Sequence, residues 1–218
     1  IGCYGLGYLP PIEAIDSAIC MGGSIGLANG YAHVVQAPII SIIGDSTFLH
    51  AGIPALINAV YNNARSMVAV LDNDTTAMTG FQPHPGSGVT ATGLKTTRVM
   101  IEDVARGCGV KFVEVVDPND IKKARKVVEN ALKHEGPSVV VFRRRCELLE
   151  LRDKRKRGEE VISFYIDDEK CTGCGICINP FGCPAIIKRD ERFFIDTILC
   201  SGCGVCSQVC PYKAIARQ

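Results

Sequence analysis

Two sets of residues in this 218-residue chain carry donor atoms at spacings that metal chemistry uses. The first set is soft. Eight of the twelve cysteines fall in the last 48 residues, as Cys171-x-x-Cys174-x-x-Cys177 with Cys183-Pro184, then Cys200-x-x-Cys203-x-x-Cys206 with Cys210-Pro211. Two-residue spacing brings three thiolates from one loop onto one centre, and the following Pro ends the loop. Iron–sulfur cubanes and four-cysteine zinc sites both draw on such ligands, but zinc leaves the paired Cys-Pro ends unaccounted for.

The second set is hard. An apolar run, Ile39-Ile40-Ser41-Ile42-Ile43, stops at Gly44-Asp45-Ser46; a helix is predicted from Ala51 to Tyr61, and a second apolar run, Met67 to Leu71, stops at Asp72-Asn73. Strands joined by one helical crossover are parallel neighbours, so Asp45 and Asn73 are expected at one sheet edge, the carboxyl edge where ligands bind. Asp45 offers an anionic oxygen, Asn73 a neutral one and the Thr75 carbonyl a third. That set suits Mg²⁺ holding a diphosphate, with phosphate and water oxygens completing about six ligands. Amides at the start of the next helix would face the phosphates. Taken alone, Gly-Asp-Ser is equally an ordinary strand-to-helix turn.

The pair of motifs resolves that choice by resemblance. Gly44-Asp45-Ser46, a spacer over 47–72 and Asn73 resemble the thiamine diphosphate motif Gly-Asp-Gly…Asn, with Ser46 as a departure at the third position. The longer string Gly-Asp-Ser-Thr-Phe…Leu-Asp-Asn…Thr-Thr-Ala-Met-Thr-Gly resembles the indolepyruvate:ferredoxin oxidoreductases, in their alpha subunit. The resemblance implies that Asp45, Asn73 and the Thr75 carbonyl hold Mg²⁺, and that Gly44, Ser46, Thr76, Ala77, Met78 and Thr79 lie along the cofactor. It extends upstream to Cys20, Met21 and Gly22 as thiamine contacts and, more weakly, to Tyr4. The cysteine runs resemble the bacterial two-cluster ferredoxin, in which the fourth cysteine of each run serves the other cluster. One [4Fe–4S] cluster would then use Cys171, Cys174, Cys177 and Cys210, the other Cys183, Cys200, Cys203 and Cys206. The interval from Cys177 to Cys183 is two residues longer than that pattern.

The elements that must position these groups follow from patterning. Residues 1–37 are rich in Gly. Beyond the second strand, Ile101 to Gly107 reads as a helix, Val110 to Val116 as a strand and Asp117-Pro118 as a cap with first turn. Asp120 to His134 reads as a helix with Ile121, Ala124, Val127, Val128 and Ala131 on one face, followed by a strand from Ser138 to Phe142. The fold class expected is α/β: residues 1–142 form a layered thiamine diphosphate-binding domain with a mostly parallel sheet. A charged, solvated linker spans 143–160, with eight basic and five acidic residues, and a small α+β ferredoxin-like domain spans 161–218. A basic patch on that linker offers an acidic partner such as a soluble ferredoxin a place to dock.

Remaining residues sharpen the limits. His50, five residues past Asp45, is a candidate catalytic group for a proton or a substrate carboxylate, against a plain helix-surface role. His84 sits in the loop Gln82-Pro83-His84-Pro85-Gly86, either closing over the site or exposed to solvent. Related pyruvate oxidoreductases bind a cluster near thiamine through a Cys-x-x-Cys and two distant cysteines; here Leu6 stands where the second cysteine would be. Cys3, Cys20 and Cys146 are therefore expected to be buried structural cysteines, the alternative being that Cys20 and Cys146 are remnants of such a cluster site. A net charge of +1 argues against nucleic acid as partner, and no apolar run of about 18 residues exists to span a membrane. Clustered thiol ligands and the lack of a signal-peptide pattern point to a reducing, cytoplasmic setting.

The resemblance implies thiamine diphosphate-dependent oxidative decarboxylation of an aryl pyruvate such as indolepyruvate. Coenzyme A takes the acyl group and ferredoxin the electrons. Pyruvate or 2-oxoglutarate are alternative substrates, and a non-catalytic electron-transfer subunit is an alternative of another class. No segment supplies the glutamate that activates the aminopyrimidine. The chain, which starts without Met, therefore reads as part of a longer polypeptide needing an upstream pyrimidine-binding domain and a beta subunit.

Overall fold

A computed structural model describes residues 1–218. The chain divides into two compact units, one of Ile1–Gly5 and Ser17–Cys146, the other of Leu6–Asp16 and Glu147–Gln218.

The larger unit is a parallel sheet with helices on both faces. Its elements are α1 (Gly23–Tyr31), β1 (Ile40–Gly44), α2 (Asp45–Thr47), a π-helical turn (Phe48–Gly52), α3 (Ile53–Tyr61), β2 (Met67–Asp72), α4 (Ile101–Gly107), β3 (Phe112–Val116), α5 (Ile121–Lys133) and β4 (Ser138–Arg143). Strand order is β1-β2-β4-β3, and every pairing is parallel. The central strands, Met67-Val-Ala-Val and Ser138-Val-Val-Val, are apolar on both faces because both are covered. Val68, Val70, Val139 and Val141 pack with Ile25, Phe48, Leu56 and Ile101 on one side. Met67, Ala69 and Val140 pack with Ala131 of α5 on the other.

Two boundaries differ from the sequence expectations. Helix α5 starts at Ile121 with Asp120 as its cap, whose carboxylate accepts from the Lys123 amide at 3.0 Å. Asp117 instead closes its own turn on the Asn119 amide at 2.8 Å. Residues 143–160 are also not an open linker. Arg143 ends β4, the Arg144 and Cys146 amides donate to the carbonyls of Asp72 and Asn73, and Glu147–Lys156 forms helix α6. Acidic residues in its first turn and basic ones in its last suit the helix dipole.

The smaller unit, beyond α6, holds β5 (Phe164–Ile166), β6 (Ile186–Arg189), β7 (Arg192–Ile195), α7 (Val205–Val209) and β8 (Ile215–Arg217). β5 pairs antiparallel with β8, and β6 with β7. Its core is small: Phe164, Ile186, Phe193, Cys206 and Ile215. No helix of the chain is long and apolar enough to cross a membrane.

One charged network ties α4 to the sheet. Arg143 donates through Nε to Asp72 at 2.7 Å and through both terminal nitrogens to Glu102 at 3.0 and 2.6 Å. The Arg143 guanidinium holds the Glu102 carboxyl below the usual carboxylate range. Arg143→Met should cost about 3 kcal/mol in urea unfolding, the low end for a buried pair because the arginine side chain keeps 27 % of its exposure. Because its folded pKa is depressed, Glu102 stabilises above the unfolded value of about 4.3, and that stability is lost as pH falls through the folded value. The stability gap between wild type and Glu102→Gln should therefore close on acidification; a gap constant with pH would assign the effect to packing.

Candidate functional site

At the carboxyl edge of the sheet, Gly44 of β1 pairs with Leu71 of β2, so the residues that follow each strand emerge side by side. Asp45 is 3 % exposed. Its Oδ2 accepts from the amides of Asn73 at 3.0 Å and Asp74 at 2.9 Å, and its Oδ1 accepts from the Ser46 amide at 2.7 Å. A buried carboxylate is tolerated only with such donors. Asn73 folds its own Oδ1 back onto the Thr75 amide at 3.2 Å, and Asp74 turns the chain through a positive φ of 68°. The Asp45 carboxylate and the turn carrying the Asn73 amide oxygen thus meet at one strand edge, a pair of hard oxygen donors of the kind that a divalent metal takes.

Beyond Thr75 the chain forms a short loop. The Thr76 amide donates to the Gln82 carbonyl at 3.0 Å, and the Gln82 side chain is fastened to Thr79 through bonds of 2.6 and 2.7 Å. Ala77, Met78 and Thr79 occupy its tip, with Met78 exposed. Burial pushes the Asp74 carboxyl up, opposed by Arg98 at 2.8 Å and reinforced by Asp72.

Sequence reasoning missed the shape of the segment after Asp45. Helix begins at Asp45 itself, and Phe48–Gly52 widens into a π turn before α3. Pro54 explains the widening: it lacks an N–H for the His50 carbonyl, and its ring crowds that oxygen. π turns recur at functional sites. His50 lies in this one, its Nδ1 2.7 Å from the Ser46 carbonyl. Since a carbonyl only accepts, Nδ1 carries the proton, and Nε2 of the uncharged ring is an acceptor.

Cys20 and Met21 are exposed, and Gly22 caps α1 at a φ of 82°. Cys3 and Cys20 are therefore not buried, contrary to the sequence expectation, while Cys108 and Cys146 are partly buried. The short positive-φ entry into α1 keeps Cys20 on the surface. The Tyr4 ring lies 3.7 Å from where a Gly44 Cβ would be. His84 is buried against Asp45 at 3.2 Å. Nothing in its Pro/Gly-rich surroundings marks it for burial.

In the smaller unit the sulfurs fall into two groups that cross the sequence halves. Cys177 feels Cys174, Cys171 and Cys210; Cys206 feels Cys183, Cys203 and Cys200. Burial pushes the Cys206 thiol up to about 12, with those neighbours adding to the shift. Ile166, Phe193, Tyr212 and Ile215 line a cavity with Cys171, Cys174, Cys177 and Cys210. Gly173, Gly175, Gly202 and Gly204 have φ of 71°, 75°, 72° and 75°, the same backbone twist at equivalent places in both loops.

A Cβ on Gly22 would meet the Ala51 methyl of the π turn at 2.7 Å. Gly22→Ala should cost about 2 kcal/mol, from the positive φ and this clash together. Ala51→Gly in the same chain should recover the clash share, read as a coupling energy in a double-mutant cycle. Strict additivity would show that Gly22 does not brace the turn.

Comparison with known proteins agrees with this geometry. A family model described as the C-terminal TPP-binding domain of thiamine pyrophosphate enzymes matches residues 1–142, and one for a 4Fe-4S binding domain matches residues 193–216. The indolepyruvate oxidoreductase subunit IorA of Archaeoglobus fulgidus is 52 % identical over 215 residues, covering 99 % of this chain and 34 % of its own length. The subunit of the same name from Pyrococcus horikoshii is 46 % identical over 233 residues, covering 100 % and 36 %. This chain thus spans about a third of the length of the curated relatives it matches. A 2-oxoglutarate:ferredoxin oxidoreductase from Magnetococcus marinus shares the fold, with a TM-score of 0.52 at 18 % identity over 58 % of this chain and 46 % of that one. With its parallel sheet, its Gly44-Asp45-Ser46 turn and a match along the whole of residues 1–142, the chain belongs to the thiamine pyrophosphate enzymes, through their C-terminal TPP-binding domain.

Proposed function

We propose that this chain is the diphosphate-binding and electron-outlet portion of a 2-oxo acid:ferredoxin oxidoreductase that converts aryl pyruvates, indolepyruvate foremost, to acyl-CoA and CO₂ while reducing ferredoxin. The observation that carries the reading is the buried Asp45 carboxylate, fastened to the Asn73 and Asp74 amides at one strand edge. The name of the IorA relatives, indolepyruvate oxidoreductase subunits, supports indolepyruvate as the substrate of this reading. The 4Fe-4S domain supplies the electron exit.

In this reading Asp45, Asn73 and the Thr75 carbonyl hold Mg²⁺ and, through it, the diphosphate. Gly44, Ser46 and residues 76–79 line the cofactor, with Cys20, Met21 and Gly22 beside the thiamine. Thiamine diphosphate, when bound, supplies the electron sink for losing CO₂ from a 2-oxo acid. His50, its Nδ1 proton committed to the Ser46 carbonyl, offers Nε2 to a substrate proton or, protonated, to its carboxylate. Cys171, Cys174, Cys177 and Cys210 hold one [4Fe–4S] cluster; Cys183, Cys200, Cys203 and Cys206 hold a second. Residues 1–142, 143–160 and 161–218 divide these tasks, and an upstream pyrimidine-binding domain and a beta subunit complete the enzyme in a reducing cytoplasm.

The test is ferredoxin-linked turnover by the full-length chain with its partner subunit, supplied with coenzyme A and a panel of 2-oxo acids. Aryl pyruvates should give the highest kcat/KM, and Asp45→Asn should abolish both turnover and Mg²⁺-dependent thiamine diphosphate binding by calorimetry. Turnover confined to pyruvate or 2-oxoglutarate would overturn the substrate assignment. Failure of the assembled complex to bind the cofactor would leave an electron-transfer subunit. The cluster assignment has its own check. Cys171→Ser with Cys210→Ser should reduce iron from about eight to about four per chain, because both residues serve one cluster. Loss of nearly all iron would mean that each run feeds its own cluster.

A further inference from the structure

We propose that His84 is a positioning residue for the Asp45 carboxylate, selecting which of its two oxygens is left to a divalent cation; the inference rests on the metal–diphosphate reading of this edge. The His84 side chain is 0 % exposed and that of Asp45 is 5 % exposed, with Nε2 3.2 Å from Oδ2. The tautomer is set from the other side of the ring. Nδ1 accepts the Gly86 amide at 3.1 Å, so in the uncharged ring the proton is on Nε2, facing the carboxylate. Nε2 makes no aligned hydrogen bond, and the carboxylate oxygen beside this buried group is Oδ2 of Asp45, with Asp74 a second acidic neighbour.

The ring is held by its loop. The Ser87 hydroxyl donates to the His84 carbonyl at 2.7 Å and accepts the His84 amide at 3.2 Å, while the Val99 amide anchors Pro85 at 3.0 Å. Gly86 leaves no slack: a Cβ there would meet His84 Cε1 at 2.9 Å.

Oδ2 therefore accepts two hydrogen bonds, from the Asn73 and Asp74 amides, and has His84 Nε2 packed 3.2 Å away without an aligned bond, whereas Oδ1 receives only the Ser46 amide. An oxygen that already accepts two amides and has a ring nitrogen packed against it has little room or lone-pair density for a further ligand, so Oδ1 is the oxygen left for a cation. Partners one step removed from a ligand hold it in this way, and their loss typically costs 10–100-fold in metal affinity. His84 also belongs to the strand of chain that Thr76 and Thr79 are fastened to through Gln82, so the same ring links Asp45 to the loop tip at residues 77–79.

The experiment uses the full-length chain with its partner subunit, titrating Mg²⁺ by calorimetry at saturating thiamine diphosphate, with apo-protein thermal unfolding alongside. His84→Asn keeps an acceptor near Gly86 but withdraws the group facing Asp45; Mg²⁺ affinity should fall roughly 10–100-fold. His84→Gln places an amide N–H where Nε2 stood and should return affinity to within a few-fold of wild type. Gly86→Ala, which moves the ring without removing it, should weaken Mg²⁺ as His84→Asn does. Wild-type Mg²⁺ affinity in both His84→Asn and Gly86→Ala would overturn the role of His84. Equal losses of Mg²⁺ affinity and thermal stability in all three variants, with no rescue by Gln, would overturn it in favour of a packing role. Absence of Mg²⁺-dependent binding in wild type, unchanged by Asp45→Asn, would instead remove the reading beneath it.

Discussion

A single carboxylate shared between two strand ends sets the terms for the larger unit. Asp45 follows β1, yet beside the adjacent Ser46 amide its donors are amides of residues 73 and 74, which follow β2. Moving an ionised carboxylate out of water costs several kcal/mol unless donors replace the lost hydration. These donors are main-chain groups at the ends of paired strands, so they cannot rotate away. The parallel register of Gly44 with Leu71 is thus both a packing fact and the condition for bringing those amides to the buried Asp45 side chain.

Negative charge accumulates at this edge and is balanced from several directions. Asp72 leans on Arg143 of β4, which also grips Glu102 of α4, and Asp74 pairs with Arg98 of the long connection to α4. The backbone of Asn73 is fixed by the Cys146 amide beyond β4. The Asp45–Asn73 turn is therefore surrounded by residues whose own charges are already paired. An added positive ion would meet Asp45 and Asn73 rather than a diffuse acidic surface.

Much of this was legible in the residues. The unbroken apolar runs at Ile39–Ile43, Met67–Leu71 and Ser138–Phe142 identify buried parallel strands, and one crossover between the first two puts Asp45 and Asn73 together. The ferredoxin-like resemblance pairs Cys210 with Cys171, and the sulfurs group the same way. What stayed hidden depends on contacts distant in sequence or on local backbone geometry. Burial of His84 needs the return of a loop onto Asp45, 39 positions earlier. Arg143 reads as one member of a basic run, and only the β2–β4 pairing places it against Asp72. The π turn arises from Pro54 acting on a helix that had already begun, whereas composition suggests a turn followed by a helix. The exposed Cys3 and Cys20 correct the expectation of burial, since a glycine-rich entry to α1 gives too little apolar cover to enclose a thiol.

The crossed sulfur groups have a consequence for how the smaller unit comes into being. Cys210 stands with Cys171, Cys174 and Cys177, and Cys183 with Cys200, Cys203 and Cys206. Each group waits for a residue from the other half, so neither half is a self-sufficient module that the chain could complete first. The loop closed by Cys171 and Cys210 encloses the whole of the second group. During synthesis all four sulfurs of the second group are present once residue 206 has emerged, whereas the first group stays open until residue 210 is free to reach back across it.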